Sequence, residues 1–245
     1  MRRPLTVTGL PAGLAGRTLL QISDLHIGRR VSDAYLARVF ERAVELAPDI
    51  VAYTGDFVSW YPPAFQKMRR LFERAPRGRL ATLGILGNHD YGRGWSHPEI
   101  AAEVTATAGE YGVRMLRNEA CEVEGLQVAG LDDLWAGRFA PKGVMGQLDP
   151  ARAAIALSHN PDTADLPGWG DFRGWILAGH THGGQVRLPF LPPPLLPVRN
   201  LRYASGVCAC PEGRRMYVNR GVGHLTPVRF NVRPEITLFT LTPAA

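Results

Sequence analysis

Lysine is nearly missing from this chain: Lys67 and Lys142 are the only two in 245 residues. Arginine therefore carries the formal net charge of +6 at pH 7. The arginines are scattered, and the longest basic runs are pairs such as Arg29-Arg30 and Arg69-Arg70. A surplus spread in this way suits an anionic small molecule or an anionic membrane surface. Without a basic stripe, no specific nucleic-acid partner is expected. Cysteine is scarce as well. Cys121, Cys208 and Cys210 are odd in number and too few for a disulfide framework, which points to a reducing compartment. Cys208-x-Cys210 lacks the spacing of a zinc knuckle and reads as structural.

Long apolar runs are absent too. No stretch approaches the ~20 apolar residues of a membrane-spanning helix. The N-terminal "MRRPLTVTGLPAGLAGRT" starts with arginines, but Pro4, Gly9 and Pro11 interrupt it before any apolar core forms, so no signal peptide is expected. These absences lead to the expectation of a cytoplasmic protein, with peripheral contact at the inner face of the membrane as an alternative. No repeat and no linker is visible, and residues 1–245 read as a single domain. At 45% hydrophobic and 20% charged residues, the composition excludes a disordered chain.

What is present is an alternation of short apolar runs and helical patterns. Residues 19–23 read as a buried strand with a polar end. In "SDAYLARVFERAVELAPD", Leu36, Val39, Phe40, Ala43, Val44 and Ala47 fall on one helical face, Ser32 or Asp33 can cap it, and Pro48 ends it. "DIVAYTGD" and "LATLGILGNHD" read as further buried strands, and helices are predicted over residues 64–74 and 98–110. The second half reads mostly as strand: two or three short ones with a turn at Glu124-Gly125, then 153–158, 175–178, 185–188, 214–219 and 236–241. The pattern predicts an α/β (α+β) fold of packed sheets flanked by helices.

The apolar runs end in unusual chemistry: Asp24-x-His26, Gly55-Asp56, Gly87-Asn88-His89-Asp90, Ser158-His159-Asn160 and Gly179-His180-x-His182. In open α/β sheets the carboxyl ends of strands are where sites assemble. Residues i and i+2 of extended chain point the same way, which makes Asp24 with His26, and His180 with His182, ready ligand pairs. One such fragment is more often structural than functional. A whole series of strongly hydrated groups, each placed after an apolar strand, has no packing rationale, because burying them unpaired is costly. The set predicts a metal centre. Its oxygen and nitrogen donors, without thiolate, suit Mn²⁺, Fe, Zn²⁺ or Co²⁺.

The blocks "SDLH", "TGD", "LGNHD", "SH" and "GHTH", in this order from Asp24 to His182, resemble the calcineurin-like metallophosphoesterases. The tail, from "GHTHGGQVRLPF" through "VNRGVG" to "VRFNVRPEITLFTL", is similar to a bacterial, membrane-associated branch that includes enzymes acting on UDP-2,3-diacylglucosamine. The resemblance implies a four-layer sandwich of two mixed sheets flanked by helices. It implies a first metal on Asp24, His26 and His182, a second on Asn88, His159 and His180, and Asp56 bridging both. His89 would act on the leaving group and Asp90 would orient it. Ser59 departs from the pattern, since many members carry an acid three residues after the bridging Asp. The implied activity is hydrolysis of phosphate esters, phosphodiester or pyrophosphate bonds above all, in a lipid-linked or nucleotide-sugar substrate. Two divalent ions lower the pKa of a bridging water from ~16 towards ~7 and position the resulting hydroxide for in-line attack. A phosphomonoesterase, a nuclease or a catalytically dead scaffold of the same fold are the alternatives.

Other residues are less distinctive. His97 reads as a helix-start residue and His224 as a loop residue. Arg29 and Arg30 read as solvated charges that could meet a second phosphate or a sugar acid, and Trp60-Tyr61 could stack on a base or sugar or pack under a loop. The segment 188–198, "LPFLPPPLLPV", must be a loop because its prolines forbid helix and central strand. Its Phe190, Leu191, Leu195 and Leu196 line an acyl groove, meet a bilayer, or fold over the core.

Overall fold

The structure, a computed structural model, describes residues 1–59, 64–191 and 193–244. One sheet is built from β1 (Arg2–Val7), β2 (Thr18–Ile22), β3 (Ile50–Thr54), β4 (Ala81–Ile85), the two-residue β5 (Arg114–Met115) and the last strand, β12 (Thr237–Pro243). The other contains β6 (Glu119–Val123), β7 (Leu126–Gly130), β8 (Ala154–Leu157), β9 (Trp175–Ala178), β10 (Gly206–Ala209) and β11 (Arg215–Val218). Their orders are β1-β12-β2-β3-β4-β5 and β10-β11-β9-β8-β7-β6. Both sheets are mixed: β2, β3, β4 and β5 run parallel, as do β7, β8, β9 and β11, while β12 against β2, β10 against β11 and β6 against β7 are antiparallel.

Strand alternation sorts side chains into three apolar layers. Leu19, Ile50, Ala52 and Leu83 of the first sheet meet Val128, Ile155, Leu157, Leu177 and Tyr217 of the second, forming the layer between the sheets. Their neighbours Leu20, Ile22, Val51 and Tyr53 turn outward onto three helices, α1 (Asp33–Glu45), α2 (Ala64–Phe72) and α3 (Pro98–Glu110). On the far side, Ala156, Ile176, Ala178 and Met216 pack on α4 (Pro141–Met145), Trp169 and Tyr203. Burial on both faces explains why the parallel strands read as continuous apolar runs. The architecture is the expected α/β sandwich of two mixed sheets between helices.

Several local expectations are corrected. α1 buries Leu36, Phe40 and Ala43, but Val44 is exposed, and Ser32 caps through its carbonyl rather than its side chain. β1 was hidden by Pro4. An edge strand tolerates the missing N–H, and β1 pairs only with β12, in parallel. Residues 185–188 form a single bridge, Val186 to Phe230, not a strand: Gln185 (φ 54°) and Phe190 (φ 65°) are left-handed, and Pro189 removes a donor. The turn at Glu124-Gly125 is present as a tight hairpin between β6 and β7 with both residues at positive φ. Among the described residues no helix is long and apolar enough to cross a membrane.

Candidate metal centre

Five loops converge at the carboxyl ends of the parallel strands. Asp24 and His26 follow β2, Asp56 follows β3, Asn88 to Asp90 follow β4, His159 follows β8, and His180 and His182 follow β9. The extended backbone that the sequence suggested for the paired residues is not what the structure has. Asp24 (φ 55°), His26 (φ 48°), Asp56 (φ 56°), His180 (φ 71°) and His182 (φ 50°) are all left-handed, so neither pair lies on extended chain. Each such residue costs on the order of 1–3 kcal/mol, and strain of this kind concentrates at functional sites. Close packing explains two of the glycines. A Cβ on Gly87 would drive into Asp56 Oδ1 and His159 Nε2, and one on Gly179 into Ser23 and Asp24.

The loops assemble two buried ligand sets. The ligand atoms of Asp24, His26 and His182 all lie within 4.8 Å of one another, and so do those of Asp56, His159 and His180. In the first set, His26 Nε2 is 3.0 Å from His182 Nε2, and His182 Nε2 is 3.3 Å from Asp24 Oδ1. In the second, Asn88 Oδ1 adds a donor 2.9 Å from His180 Nδ1. Asp56 Oδ2 stands between the sets, 3.3 Å from His159 Nε2 and 3.5 Å from His26 Nε2. His180 and His182, one residue apart, thus face different sets.

The donors fit divalent cations. His159 Nε2 is buried with no hydrogen bond among the described residues, a state that buried polar groups rarely tolerate. The far nitrogens of the rings are held from behind. His159 Nδ1 donates to Thr54 O (2.7 Å), His180 Nε2 donates to Pro197 O (2.9 Å), and His26 Nδ1 is 3.2 Å from Ser59 Oγ. Such partners fix the tautomer and present the near nitrogen as a lone pair. Beside His182 lies the half-buried Arg229, whose Nη2 is 3.1 Å from Nδ1 and donates to the carbonyls of Arg220 and Gly221.

The electrostatics match. Burial alone would raise Asp56, but the His159, His89 and His26 rings hold it well below the usual carboxylate range. Burial would lower His159, yet Asp56 holds that ring up at about 10. His180 is pushed down to about 3, by burial first and then by His159. Burial also holds His26 well below its ordinary value. A cation in such a cluster replaces protons that the rings would otherwise share.

His89 is half-buried. Its backbone N–H donates to Asp56 Oδ1 (2.9 Å), and its ring meets that of His26 edge-on with centroids 5.0 Å apart. Asp90 is fully buried, and its oxygens accept from the backbone N–H of Val58 (3.0 Å) and Gly87 (2.9 Å). The carboxylate therefore ties the 87–90 turn to the loop after β3. Burial, reinforced by Asp56, pushes it well above the usual carboxylate range.

Sequence reasoning missed several neighbours. Trp135 sets its ring edge-on to His180 at 4.4 Å and packs on Trp95 at 4.5 Å. Asp132 joins the two tryptophan-bearing segments through Tyr91 and Arg117. Asp133 is buried, which raises its carboxyl to about 6, and its Oδ2 lacks a partner among the described residues. The signal for this pair was legible: Asp132 and Asp133 follow the apolar β7 as the other acids follow their strands. Nothing local marked Pro197, Arg229 or Trp135. His97 precedes α3 and bonds Glu99 (2.8 Å), as a helix-start residue does. His224 is half-buried near Arg30 and Arg229 and is a member of neither ligand set. Trp60 and Tyr61 lie outside the described residues.

Two mixed sheets whose strand ends gather twin sets of carboxylate and imidazole define a metal-dependent hydrolase. The chain belongs to the calcineurin-like phosphoesterase family, whose profile matches residues 17–184. Phosphodiesterase YaeI of Escherichia coli (strain K12) is 32% identical over 238 residues, covering 91% of this chain and 81% of its own. UDP-2,3-diacylglucosamine pyrophosphatase LpxG of Chlamydia trachomatis is 30% identical over 281 residues, covering 93% and 84%. Among solved structures, the NAD nucleotidase NadN of Haemophilus influenzae shares the fold, with a TM-score of 0.50 at 14% identity over 82% of this chain and 49% of that one.

Proposed function

We propose that this phosphoesterase cleaves phosphodiester or pyrophosphate bonds in a lipid-linked or nucleotide-sugar substrate. The observation that carries the reading is the pair of ligand sets meeting at Asp56. The similarity to a phosphodiesterase and to a pyrophosphatase supports the bond type. In this reading Asp24, His26 and His182 hold one ion, and Asn88, His159 and His180 hold the other. Asp56 belongs to both. Manganese is the ion of choice for a mixed imidazole–carboxylate set, with iron, zinc and cobalt as the other candidates. When bound, two such ions supply Lewis acidity to the phosphoryl oxygens and a nucleophile at neutral pH.

The chain's own residues do the rest. Buried donors exclude bulk water and strengthen every charge interaction with the phosphoryl group. His89, the half-buried imidazole beside the first set, protonates the departing oxygen, a task that histidine performs more often than any other side chain. Asp90 acts through the turn, holding Asn88 and His89 in place. The loop 188–198 gives the enzyme peripheral contact with the lipid surface from which its substrate comes.

The test is turnover of bis-p-nitrophenyl phosphate against p-nitrophenyl phosphate, with and without Mn²⁺. Manganese-dependent cleavage that favours the diester is expected. A preference for the monoester would overturn the bond assignment. His89→Ala should lower kcat by about 10²–10⁴-fold with metal content near that of the parent, and an unaffected rate would remove His89 from the mechanism.

A further inference from the structure

Large apolar side chains are exposed mainly in one region. Of eleven such residues among those described, seven lie on the segments 188–201 and 228–230, including Phe190, Leu191, Leu195, Val228 and Phe230. Arg187 N donates to Phe230 O (3.0 Å) and Phe230 N to Gln185 O (2.9 Å), which sets the start of the first segment beside the second. Phe190 is 106% exposed and sits at φ 65°. A bulky residue in left-handed backbone is an outlier, and here it holds an aromatic ring clear of the protein.

The charge around this face has one sign. Residues 185–203 and 219–234 contain no Asp or Glu, whereas Arg187, Arg199, Arg202 and Arg233 are exposed on them. The flanking acids are engaged within the protein: Glu235 pairs with Arg220, Asp162 accepts from the backbone of Arg199 and Asn200, and Asp165 from Tyr203 and Asn200. The face is also anchored to the metal centre, since Pro197 O accepts from His180 Nε2. An apolar crown rimmed by arginine, without acids, matches the interface of an anionic bilayer, where apolar side chains enter the headgroup boundary and basic ones meet lipid phosphates. Such a patch is too apolar to be an ordinary solvated surface.

We propose that this face docks on an anionic lipid bilayer and sets the metal centre against the membrane. The inference rests on the reading of the enzyme as one that acts on a lipid-linked phosphoester, and it names the surface that delivers it. The occupant is the bilayer rather than a single acyl chain, because Phe190 and Leu195 are largely or wholly exposed rather than enclosed.

The test is flotation of the metal-loaded protein with vesicles of phosphatidylglycerol mixed with phosphatidylcholine, or of phosphatidylcholine alone. The parent should float with the anionic vesicles and about tenfold less with the neutral ones, in keeping with several arginine contacts. Phe190→Asp combined with Phe230→Asp should abolish flotation, and Arg187→Gln with Arg199→Gln should remove the anionic preference, at unchanged thermal midpoints. A parent that stays in solution, or variants that float like it, would overturn the proposal. So would tight binding of monomeric lysophospholipid that survives in Phe190→Asp/Phe230→Asp, which would indicate an acyl groove instead. Turnover of the water-soluble bis-p-nitrophenyl phosphate, followed on the same samples, separates the two readings. Turnover without flotation sinks the surface alone, and flotation without turnover sinks the hydrolase reading alone.

Discussion

Ser59 Oγ lies 3.2 Å from His26 Nδ1, on the side of the ring turned away from the first ligand set. The residue that departs from the family pattern therefore stands behind a donor imidazole. A hydroxyl there accepts the Nδ1 proton and leaves Nε2 free to coordinate. Ser59→Ala should weaken metal retention, within the 10–100-fold range typical of such supports. Ser59→Asp should hold metal at least as well as the parent, because a carboxylate is the stronger acceptor. Metal content after dialysis against a graded chelator decides; equal retention in all three proteins would mean that the hydroxyl does not support His26.

Metal removal should cost stability as well as activity. Without cations, the buried Asp24, Asp56 and four imidazoles stand at short range with no ion to hold them together, and His159 Nε2 makes no hydrogen bond among the described residues. A ligand that binds only the folded state stabilises it by about 2.7 kcal/mol at a hundred times its Kd. The thermal midpoint should fall on chelation and recover with Mn²⁺. A midpoint indifferent to the chelator, in protein shown to be metal-free, would argue against tight binding at this cluster.

Much of this centre was legible in sequence because its chemistry is local. Polar residues after apolar strands are anomalous wherever they occur, and Asp24, His26, Asp56, Asn88, His159, His180 and His182 all stood out in that way. Their backbone was not legible. Left-handed φ at Asp24 and His180 comes from tertiary closure, which overrides the ordinary preference of non-glycine residues. The supports were hidden for a related reason. Pro197 serves His180 through a backbone carbonyl, which every residue carries, and Thr54 serves His159 in the same way from far along the chain. In the fold, central strands were visible as apolar runs. β1 was not, because an edge strand needs few apolar residues and admits proline.

Acid stability should depend on Asp49, far from the metal centre. Burial alone would raise its carboxyl. Bonds from the Thr18 N–H and hydroxyl (2.8 Å each) and from Arg79 (2.8 Å) lower it below the ordinary value. A depressed carboxyl contributes stability that is present above its unfolded pKa, about 3.9, and is lost as pH falls through the lower folded value. Asp49→Asn should cost about 1 kcal/mol at neutral pH, a modest figure because the arginine partners are largely exposed. Its midpoint should also decline less than the parent's on acidification below about pH 4. Parallel midpoint-versus-pH curves for the two proteins would show that Asp49 does not contribute to acid sensitivity.

Asp90 offers the sharpest division between two ways of serving His89. Both of its oxygens accept backbone N–H groups, so its direct partners are the turn itself and the loop after β3. Asp90→Asn must turn an amide NH₂ towards one of those N–H donors, leaving a buried donor unmatched at a cost of about 1–3 kcal/mol. If the residue works through the turn, Asn88 and His89 should both be disturbed. Metal content and turnover then fall together, and the thermal midpoint drops. If it works on the His89 ring, the variant should keep its metal and show a displaced pH profile of kcat. The hydrogen bonds favour the first outcome, and His89→Ala supplies the reference: an imidazole lost with the turn intact should leave metal content close to the parent's, whereas Asp90→Asn should not.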